Sequence, residues 1–179
     1  MMKRLTRAAA LMALMAAGTA QAASDTATIT ITGKVLANTC TIDSGSATQT
    51  IPLDDISDRD IRGKGTTGGK KDVAIKLTNC GAGASGVVVS ASGKADADEA
   101  SAFANVKTQA DGGATGVGVY FYQTDGTTKF VPAGTAKQTS PLTPLVDNTL
   151  TYKAAFVGTK DTVTAGDFST VVNMTFDYQ

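Results

Sequence analysis

The sequence predicts an all-β sandwich, and three patterns support that fold class. Short runs of β-branched and aromatic residues recur along most of the chain, and Gly, Asn, Asp and Ser separate them. In one run, Val73, Ile75 and Leu77 alternate with small or polar residues, which indicates a strand with one face in the core. Asp125-Gly126 is a strong hairpin-turn signal between two further runs. Short strands separated by turns are typical of a sandwich.

The first 22 residues have the pattern of a secretory signal peptide. Three basic residues precede an apolar run, Ala8–Ala17, that is far shorter than the ~20 residues of a membrane-spanning helix. Ala20 and Ala22 supply the small residues of a cleavage site, so we expect cleavage after Ala22 and export. The remaining 157 of 179 residues suit one domain. They carry sixteen acidic and thirteen basic side chains, and this net charge of −3 argues against nucleic acid or anionic membrane as a partner.

Cys40 and Cys80 are the only cysteines of the chain. In an exported protein their simplest use is a disulfide with each other. Two free thiols, or half of a metal site, are the alternatives. The sequence has no histidine and no further cysteine, which disfavours a metal site.

An enzyme is not predicted, because the usual catalytic groups are missing. The chain has no histidine, no Gly-x-Ser-x-Gly motif and no carboxylate pair that the pattern places in a cleft. A lysine or aspartate base remains open in principle. The glycines of Gly63–Gly69 lack the spacing of a phosphate-binding loop, and no other cofactor motif is present. Interaction with other proteins is the function class that remains.

The carboxylate-rich run Asp54–Arg62 is expected to form a short helical turn, with Asp54 or Asp55 as its cap. Arg59 and Arg62 lie among the carboxylates and no EF-hand pattern is present, so a solvated turn is favoured over a calcium site.

Beyond this turn, the final run of the chain has the composition of a central strand. The predicted strands after the turn cover residues 73–78, 87–89, 117–121, 127–131, 150–156 and 171–179.

The segment Thr26–Val35 has the cleanest alternation in the chain. One of its faces is polar and consists of threonines. Periodicity alone favours an ordinary first strand of the chain's own sandwich, although it does not say which sheet the strand joins. The other face is apolar and consists of Ala27, Ile29, Ile31, Gly33 and Val35.

Five motifs in order give the chain a family resemblance. They are Gly33–Ile42, Leu77–Cys80, Gly116–Val119, Asp125-Gly126 and the final Phe176–Gln179. Together they resemble the pilins of chaperone-usher fimbriae, in particular the type 1 fimbrial group. The resemblance covers essentially the whole mature chain.

Two further details are similar to that family. Its relevant members have a penultimate tyrosine and a glycine fourteenth from the end, and here Tyr178 and Gly166 hold those positions. They also have a donor-strand glycine seven residues before the first cysteine, which is the place of Gly33 relative to Cys40.

The resemblance implies an immunoglobulin-like sandwich that lacks its final strand. A periplasmic chaperone is expected to lend a strand, which the N-terminal extension of the next subunit replaces at an outer-membrane usher. It implies a signal peptide at 1–22, a donor extension at 23–36 and a pilin domain at 37–179. It further implies that the chaperone grips the carboxylate of Gln179. The expected acceptor-groove and chaperone-binding residues are Gly166, Val172, Met174, Phe176, Tyr178 and Gln179.

We therefore expect a structural subunit of a cell-surface fimbria that polymerises by donor-strand exchange and supports adhesion. Its expected partners are copies of itself, the chaperone, the usher and tip adaptor or adhesin subunits, with no nucleic acid and no cofactor. The alternatives are a minor tip adaptor of the same system and a stand-alone secreted β-sandwich that binds a ligand.

Overall fold

The computed structural model describes residues 25–35 and 38–179. The predicted signal peptide, residues 1–22, lies outside the described residues, as do Leu36 and Ala37. By its internal contacts the chain divides into two units, and the strands that the structure describes belong to the second, Val35–Gln179. Across the described residues, no helix has the length and apolar character needed to cross a membrane.

Two antiparallel sheets make up the second unit. In chain order its elements are β1 (Thr41–Ile42), α1 (Ser44–Ala47), a 3-10 helix (Asp58–Ile61), β2 (Thr67–Thr78), β3 (Gly86–Gly93), β4 (Phe103–Ala104), a second 3-10 helix (Gln109–Asp111), β5 (Val117–Tyr122), β6 (Ala133–Pro141), β7 (Asn148–Gly158) and β8 (Val172–Tyr178). One sheet has the order β1-β2-β7-β5-β4 and the other the order β6-β3-β8. This architecture confirms the predicted all-β class.

The main core lies between the two sheets. The predicted alternation of β2 is confirmed, since Val73, Ile75 and Leu77 are all buried. They pack in one cluster with the inward side chains of β3. Three aromatic rings, those of Phe121, Phe130 and Tyr152, contact one another in the same layer, with centroids 5.7–5.9 Å apart. Each large side chain buried here contributes roughly 1.5–3 kcal/mol.

Strand β5, predicted from the alternation of Val117, Val119 and Phe121, has both of its faces buried. Tyr120 and Tyr122 face away from the main core and form a second apolar cluster on the outer side of the sheet. The Nζ atom of Lys129 lies 3.5 Å from the centroid of the Tyr120 ring, in a cation–π contact that helps to cover this cluster. The other members of the cluster are Ala102, Ala155 and Val157.

The Asp125-Gly126 turn is confirmed, but the predicted returning strand at 127–131 is wrong. Asp125 accepts hydrogen bonds from the backbone N–H groups of Thr127 and Thr128, both at 2.8 Å, and so closes the turn. After a single bridge at Lys129, the chain instead sends Phe130 into the core. The next strand, β6, pairs with β3 in the opposite sheet.

The short helical turn is confirmed and its predicted cap is wrong. The 3-10 helix begins at Asp58, so Ser57 holds the cap position rather than Asp54 or Asp55. Arg62 donates to the Asp58 carboxylate four residues earlier, which lowers the pKa of that carboxyl. The charged side chains of this turn therefore balance one another.

The Cys40–Cys80 disulfide is present and joins the start of β1 to the end of β2. The two cysteines are 40 residues apart in the sequence. A cross-link over a loop of that length contributes about 4 kcal/mol in the chain-entropy model. It fixes the end of the sandwich from which the N-terminal segment departs.

Candidate functional site: an open groove beside β8

The composition of strand β8 predicted a place in the centre of a sheet, and that prediction is wrong. The strand lies at the edge of its sheet. It pairs with β3 along its whole length, from Val172 opposite Gly93 to Tyr178 opposite Val87, and with no other strand of the described chain. An edge strand presents a row of unpaired backbone donors and acceptors. Strand β8 is therefore ready to accept one more strand.

The direction of these unpaired groups follows from the pairing register. The N–H of Gln179 donates to the carbonyl of Gly86 at 2.9 Å, so Gln179 belongs to the set of residues that bond to β3. Backbone groups alternate in direction along an antiparallel strand. Those of Val172, Met174 and Phe176 consequently point away from β3, toward the open edge.

A groove of about 1220 Å³ lies along this edge. It follows the seam between the two sheets, because β8 ends one sheet and β1 ends the other. Val73, Ile75 and Phe121, which belong to the main core, line it. The core of the sandwich is thus accessible along one side.

The inward side chains of β8 are only partly covered. Met174 and Phe176 are half-buried, whereas their partners on β3, Ala91 and Val89, are almost wholly buried. All four side chains contact the same core. The difference in burial arises on the side of β8 that has no neighbouring strand.

The opposite wall of the groove is residues 48–56 after α1, of which sequence reasoning missed 48–53. Ile51 and Leu53 pack against the core from this segment, and Ile56 lines the groove further along. Side chains fasten it to β2: the Gln49 amide donates to the carbonyl of Ala74 at 3.0 Å. The alternation of Ile51 and Leu53 around a proline was the one signal that could have revealed it.

Gly166, placed with the acceptor strand by the sequence, lies in the loop before β8. A Cβ atom there would stand 2.5 Å from the nitrogen of Ala114 and 2.6 Å from the carbonyl oxygen of Gly112. Only glycine allows these two loops to approach so closely. Gly166 lines the groove at the end where β8 begins.

The last two predicted residues are placed differently from the rest. Val172, Met174 and Phe176 line the groove, whereas Tyr178 and Gln179 lie beyond its lining. Burial raises the pKa of the Tyr178 hydroxyl, which has no hydrogen-bond partner within the described residues. The Gln179 side chain is exposed.

The N-terminal segment presents its apolar face to solvent. Residues 25–35 form neither helix nor strand, and the side chains of Ile29, Ile31 and Val35 are 82%, 90% and 100% exposed. Ala27 and Gly33 on the same face are exposed as well. Large apolar side chains exposed at such fractions in one short segment are characteristic of a binding element.

The groove offers hydrophobic side chains and unpaired backbone, and its chemistry suits a peptide strand. In the parts of the chain that the structure describes, no cluster of three or more carboxylate, thiol or imidazole groups is positioned to hold a metal ion. What the arrangement can do is bind an extended segment with alternating apolar residues.

The family model for fimbrial proteins matches residues 29–179 of the chain. The chain belongs to the fimbrial protein family. This family consists of structural pilins and not of enzymes. Among its curated relatives, long polar fimbria protein A of Salmonella typhimurium strain LT2 is 32% identical over 180 residues, covering 100% of this chain and 98% of the relative. The fimbrial subunit ElfA of Escherichia coli K12 is 30% identical and covers 99% of both chains.

Solved structures of fimbrial proteins have the same fold. The P pilus rod subunit PapA superimposes with a TM-score of 0.64 at 24% identity, covering 78% of this chain and 99% of that one. The antigen and type I fimbria protein of Burkholderia pseudomallei has a TM-score of 0.57 at 26% identity, with coverage of 79% and 90%. These likenesses confirm the predicted fold, an immunoglobulin-like sandwich without its final strand.

Proposed function

We propose that this chain is a shaft subunit of a chaperone-usher fimbria, in which the segment from Ala27 to Val35 of one copy fills the groove of another. The observation that carries the proposal is the half-buried strand β8, whose outer edge has no partner strand in the described chain, beside an open core. The exposed N-terminal segment has the alternating apolar side chains and the free backbone groups that a strand filling this groove needs.

The two elements match in period and in chemistry. Side chains on one face of a strand repeat every two residues, so those of an inserted segment fall in step with Val172, Met174 and Phe176. Ile29, Ile31 and Val35 would each contribute roughly 1.5–3 kcal/mol when fully buried. The backbone of the inserted segment would also satisfy the free N–H and C=O groups of β8.

Charge supports an antiparallel orientation of the inserted segment against β8. Three carboxylates, those of Asp55, Asp58 and Asp167, line the groove against one lysine, Lys107. Asp167 precedes the start of β8 by five residues, and Lys34 lies at the C-terminal end of the inserted segment. An antiparallel strand brings Lys34 to the start of β8, and antiparallel pairing is also slightly the more stable.

Before assembly, another protein must cover the open edge, because exposed edges template aggregation. The resemblance to chaperone-usher pilins supports a periplasmic chaperone in this role, with the carboxylate of Gln179 as its anchor. We further propose a signal peptide at 1–22, a donor extension at 23–36 and a pilin domain at 37–179, with delivery through an outer-membrane usher to the cell surface. The chain then acts by assembly and carries no catalytic activity.

A charge placed on the inward face of the donor segment tests this function. Ile31→Asp would bury an unpaired carboxylate in the groove, so we expect fibre yield to fall to background. Thr30→Asp, on the outward face of the same segment, is the matched control and should assemble normally. Fibres are quantified from cells that express the full system. Equal yields from the two variants would show that Ile31 does not face inward.

Deletion of 23–35 is the stronger test of the donor role. The deleted chain should still bind chaperone through its groove but should not cap another subunit. Long polymers of the deleted chain would contradict the proposal.

The deletion does not distinguish a shaft subunit from a minor tip adaptor, which would also lose its donor function. Abundance separates the two, since a shaft subunit dominates purified fibres. A stand-alone binding module would refold reversibly as a monomer without chaperone.

A further inference from the structure

Four large apolar side chains outside the N-terminal segment are exposed in the described structure. Leu145 and Val146 are 73% and 51% exposed, and Val106 and Val171 are 44% and 58% exposed. Scattered single apolar residues on a surface need no explanation, but Leu145 and Val146 are adjacent in sequence, and Val106 and Val171 lie on two segments joined by a backbone hydrogen bond. We call the first pair, Leu145 and Val146, the apolar tip, and the second, Val106 and Val171, the apolar rim.

The apolar tip is held in one conformation by its surroundings. The Asn148 Oδ1 atom accepts a hydrogen bond from the N–H of Thr143 at 2.8 Å. Its Nδ2 atom donates to the carbonyls of Thr143 and Val146, both at 3.0 Å. Lys76 binds the neighbouring Asp147 at 2.9 Å. The loop is therefore a fixed support for its two exposed side chains.

Leu145 occupies a position that disfavours it. Its φ is +64°, and it follows a proline, in the order of a type II turn, whose third residue is normally Gly or Asn. A bulky side chain in this region strains the backbone. Strained residues concentrate at sites where the side chain has a function. Leucine here is both strained and exposed, so its contribution is not to the fold of the isolated subunit.

The apolar tip lies at the end of the sandwich from which the N-terminal segment departs. Asn148 Nδ2 is 3.4 Å from Cys80 Sγ, and Cys80 is bonded to Cys40. Cys40 follows Val35 by five residues, and a chain of that length reaches at most about 18 Å. When Val35 of one copy is inserted in a neighbour, the tip is therefore brought close to that neighbour.

The apolar rim lies at the opposite end, where β8 begins. Val171 directly precedes β8, and the N–H of Val106 donates to the carbonyl of Ser169 at 2.8 Å. The other end of β8 adjoins the tip. The N–H of Gln179 donates to Gly86, the first residue of β3, and the N–H of Leu142 donates to Ser85, the residue before it. A strand of seven residues separates the two ends by roughly 20 Å.

We propose that the apolar tip of each subunit packs on the apolar rim of the subunit whose groove holds its donor segment. This inference rests on the proposed function and on the antiparallel orientation, which takes Val35 out of the groove at the start of β8. It gives each joint of the polymer a second contact beside the inserted strand. The contact limits bending between neighbouring subunits, and it gives every exposed large apolar side chain of the described structure a partner.

Disulfide trapping in assembled fibres tests the contact. The double variant Val146→Cys with Val171→Cys should give a covalent ladder after boiling in detergent without reductant, and each single variant sets the background. As a reference, Ile31→Cys is paired with Met174→Cys or with Phe176→Cys at the middle of the groove, where trapping does not depend on strand direction.

The reference pairs distinguish failure of the contact between tip and rim from failure of donor-strand insertion. A ladder from the tip and rim cysteines supports the contact. A ladder from a reference pair alone overturns the contact and leaves the proposed function standing. Ladders from neither overturn both.

A second variant tests the contact without new cysteines. Leu145→Gly removes the apolar side chain and suits the positive φ, so folding is not impaired. We expect fibres in normal amounts that have lost stiffness, measured as persistence length in electron micrographs. Ala133→Ser, an exposed change on β6, is the control and should leave stiffness unchanged. Stiffness of Leu145→Gly fibres equal to wild type would overturn the contact.

Discussion

Strands β7 and β8 have the same alternation of apolar and polar residues, yet they differ sharply in burial. Strand β7 lies between β2 and β5, and its inward residues Leu150, Tyr152 and Ala154 are at most 8% exposed. Strand β8 has β3 on one side only, and Met174 and Phe176 remain half-buried. The pattern tells which residues face inward, but the number of neighbouring strands decides how much they contribute.

This comparison predicts where stability depends on a partner. Side chains of β7 contribute fully within a single chain. Those of β8 contribute in part within the chain and fully once a strand covers them. The following variants test the difference in a chain lacking residues 23–35, kept dilute enough to prevent association through its open edge, with and without a synthetic peptide of residues 25–35.

Tyr152→Ala should have the largest effect, a loss of about 3–5 kcal/mol in the free energy of unfolding, because it empties the centre of the aromatic layer. The loss should be the same with and without peptide, as measured by urea denaturation. A loss that depended on the peptide would mean that the β7 core is not complete within one chain.

Phe176→Ala should depend on the peptide. Without peptide the half-buried ring contributes only part of its transfer free energy, whereas with peptide the loss should approach about 3 kcal/mol. The readout is the difference between the two denaturation midpoints. Equal losses in both states would remove the distinction between β7 and β8.

Tyr152→Phe should have a small effect of the opposite sign. The Tyr152 hydroxyl is buried, has no hydrogen-bond partner within the described residues, and has its pKa raised by burial. Removing an unpaired buried polar group stabilises by about 1 kcal/mol or is neutral. Thermal unfolding measures it, and a clear destabilisation would reveal a partner for this hydroxyl.

Asp125→Asn should have the smallest effect, seen only as a pH dependence. The Thr128 hydroxyl, with the N–H groups of Thr127 and Thr128, lowers the pKa of Asp125 to about 2 from 3.8. Because the folded pKa is the lower one, its stabilisation is present above pH 3.8 and is lost as the pH falls toward 2. The difference in melting temperature between wild type and variant should shrink over that range. A constant difference would mean that the carboxylate charge has no role in the turn.

Strands that carry an apolar alternation were predictable from the sequence, whereas the edge strand β6 was not. Val73, Ile75 and Leu77 of β2, and Leu150 and Tyr152 of β7, each alternate because one face enters the core. Strand β6, Ala133–Pro141, escaped prediction because most of its residues are exposed and carry no apolar period. Strand β5 was found, but its second buried face was not, because Tyr120 and Tyr122 pack there against Ala102 and against Ala155 and Val157 of β7, which lie elsewhere in the sequence.

The groove was predictable on one side only. Alternation in the sequence predicts which face of β8 points inward, the face of Val172, Met174 and Phe176. The family resemblance indicated that this face is left open. The opposite wall, residues 48–56, forms no strand, and only the alternation of Ile51 and Leu53 marks it. Its place beside the core depends on long-range contacts such as that between Gln49 and Ala74. Gly166 was found by its position, but its close packing against Ala114 required coordinates.

Hydrogen exchange along β8 tests the central claim most directly, in the chain lacking residues 23–35 before and after addition of the 25–35 peptide. The amides of Met174 and Phe176, which point to the open edge, should gain protection. Those of Asn173, Thr175 and Asp177, which already bond to β3, should change little. Protection that rises equally at all five positions, or at none, would contradict insertion of a strand beside β8.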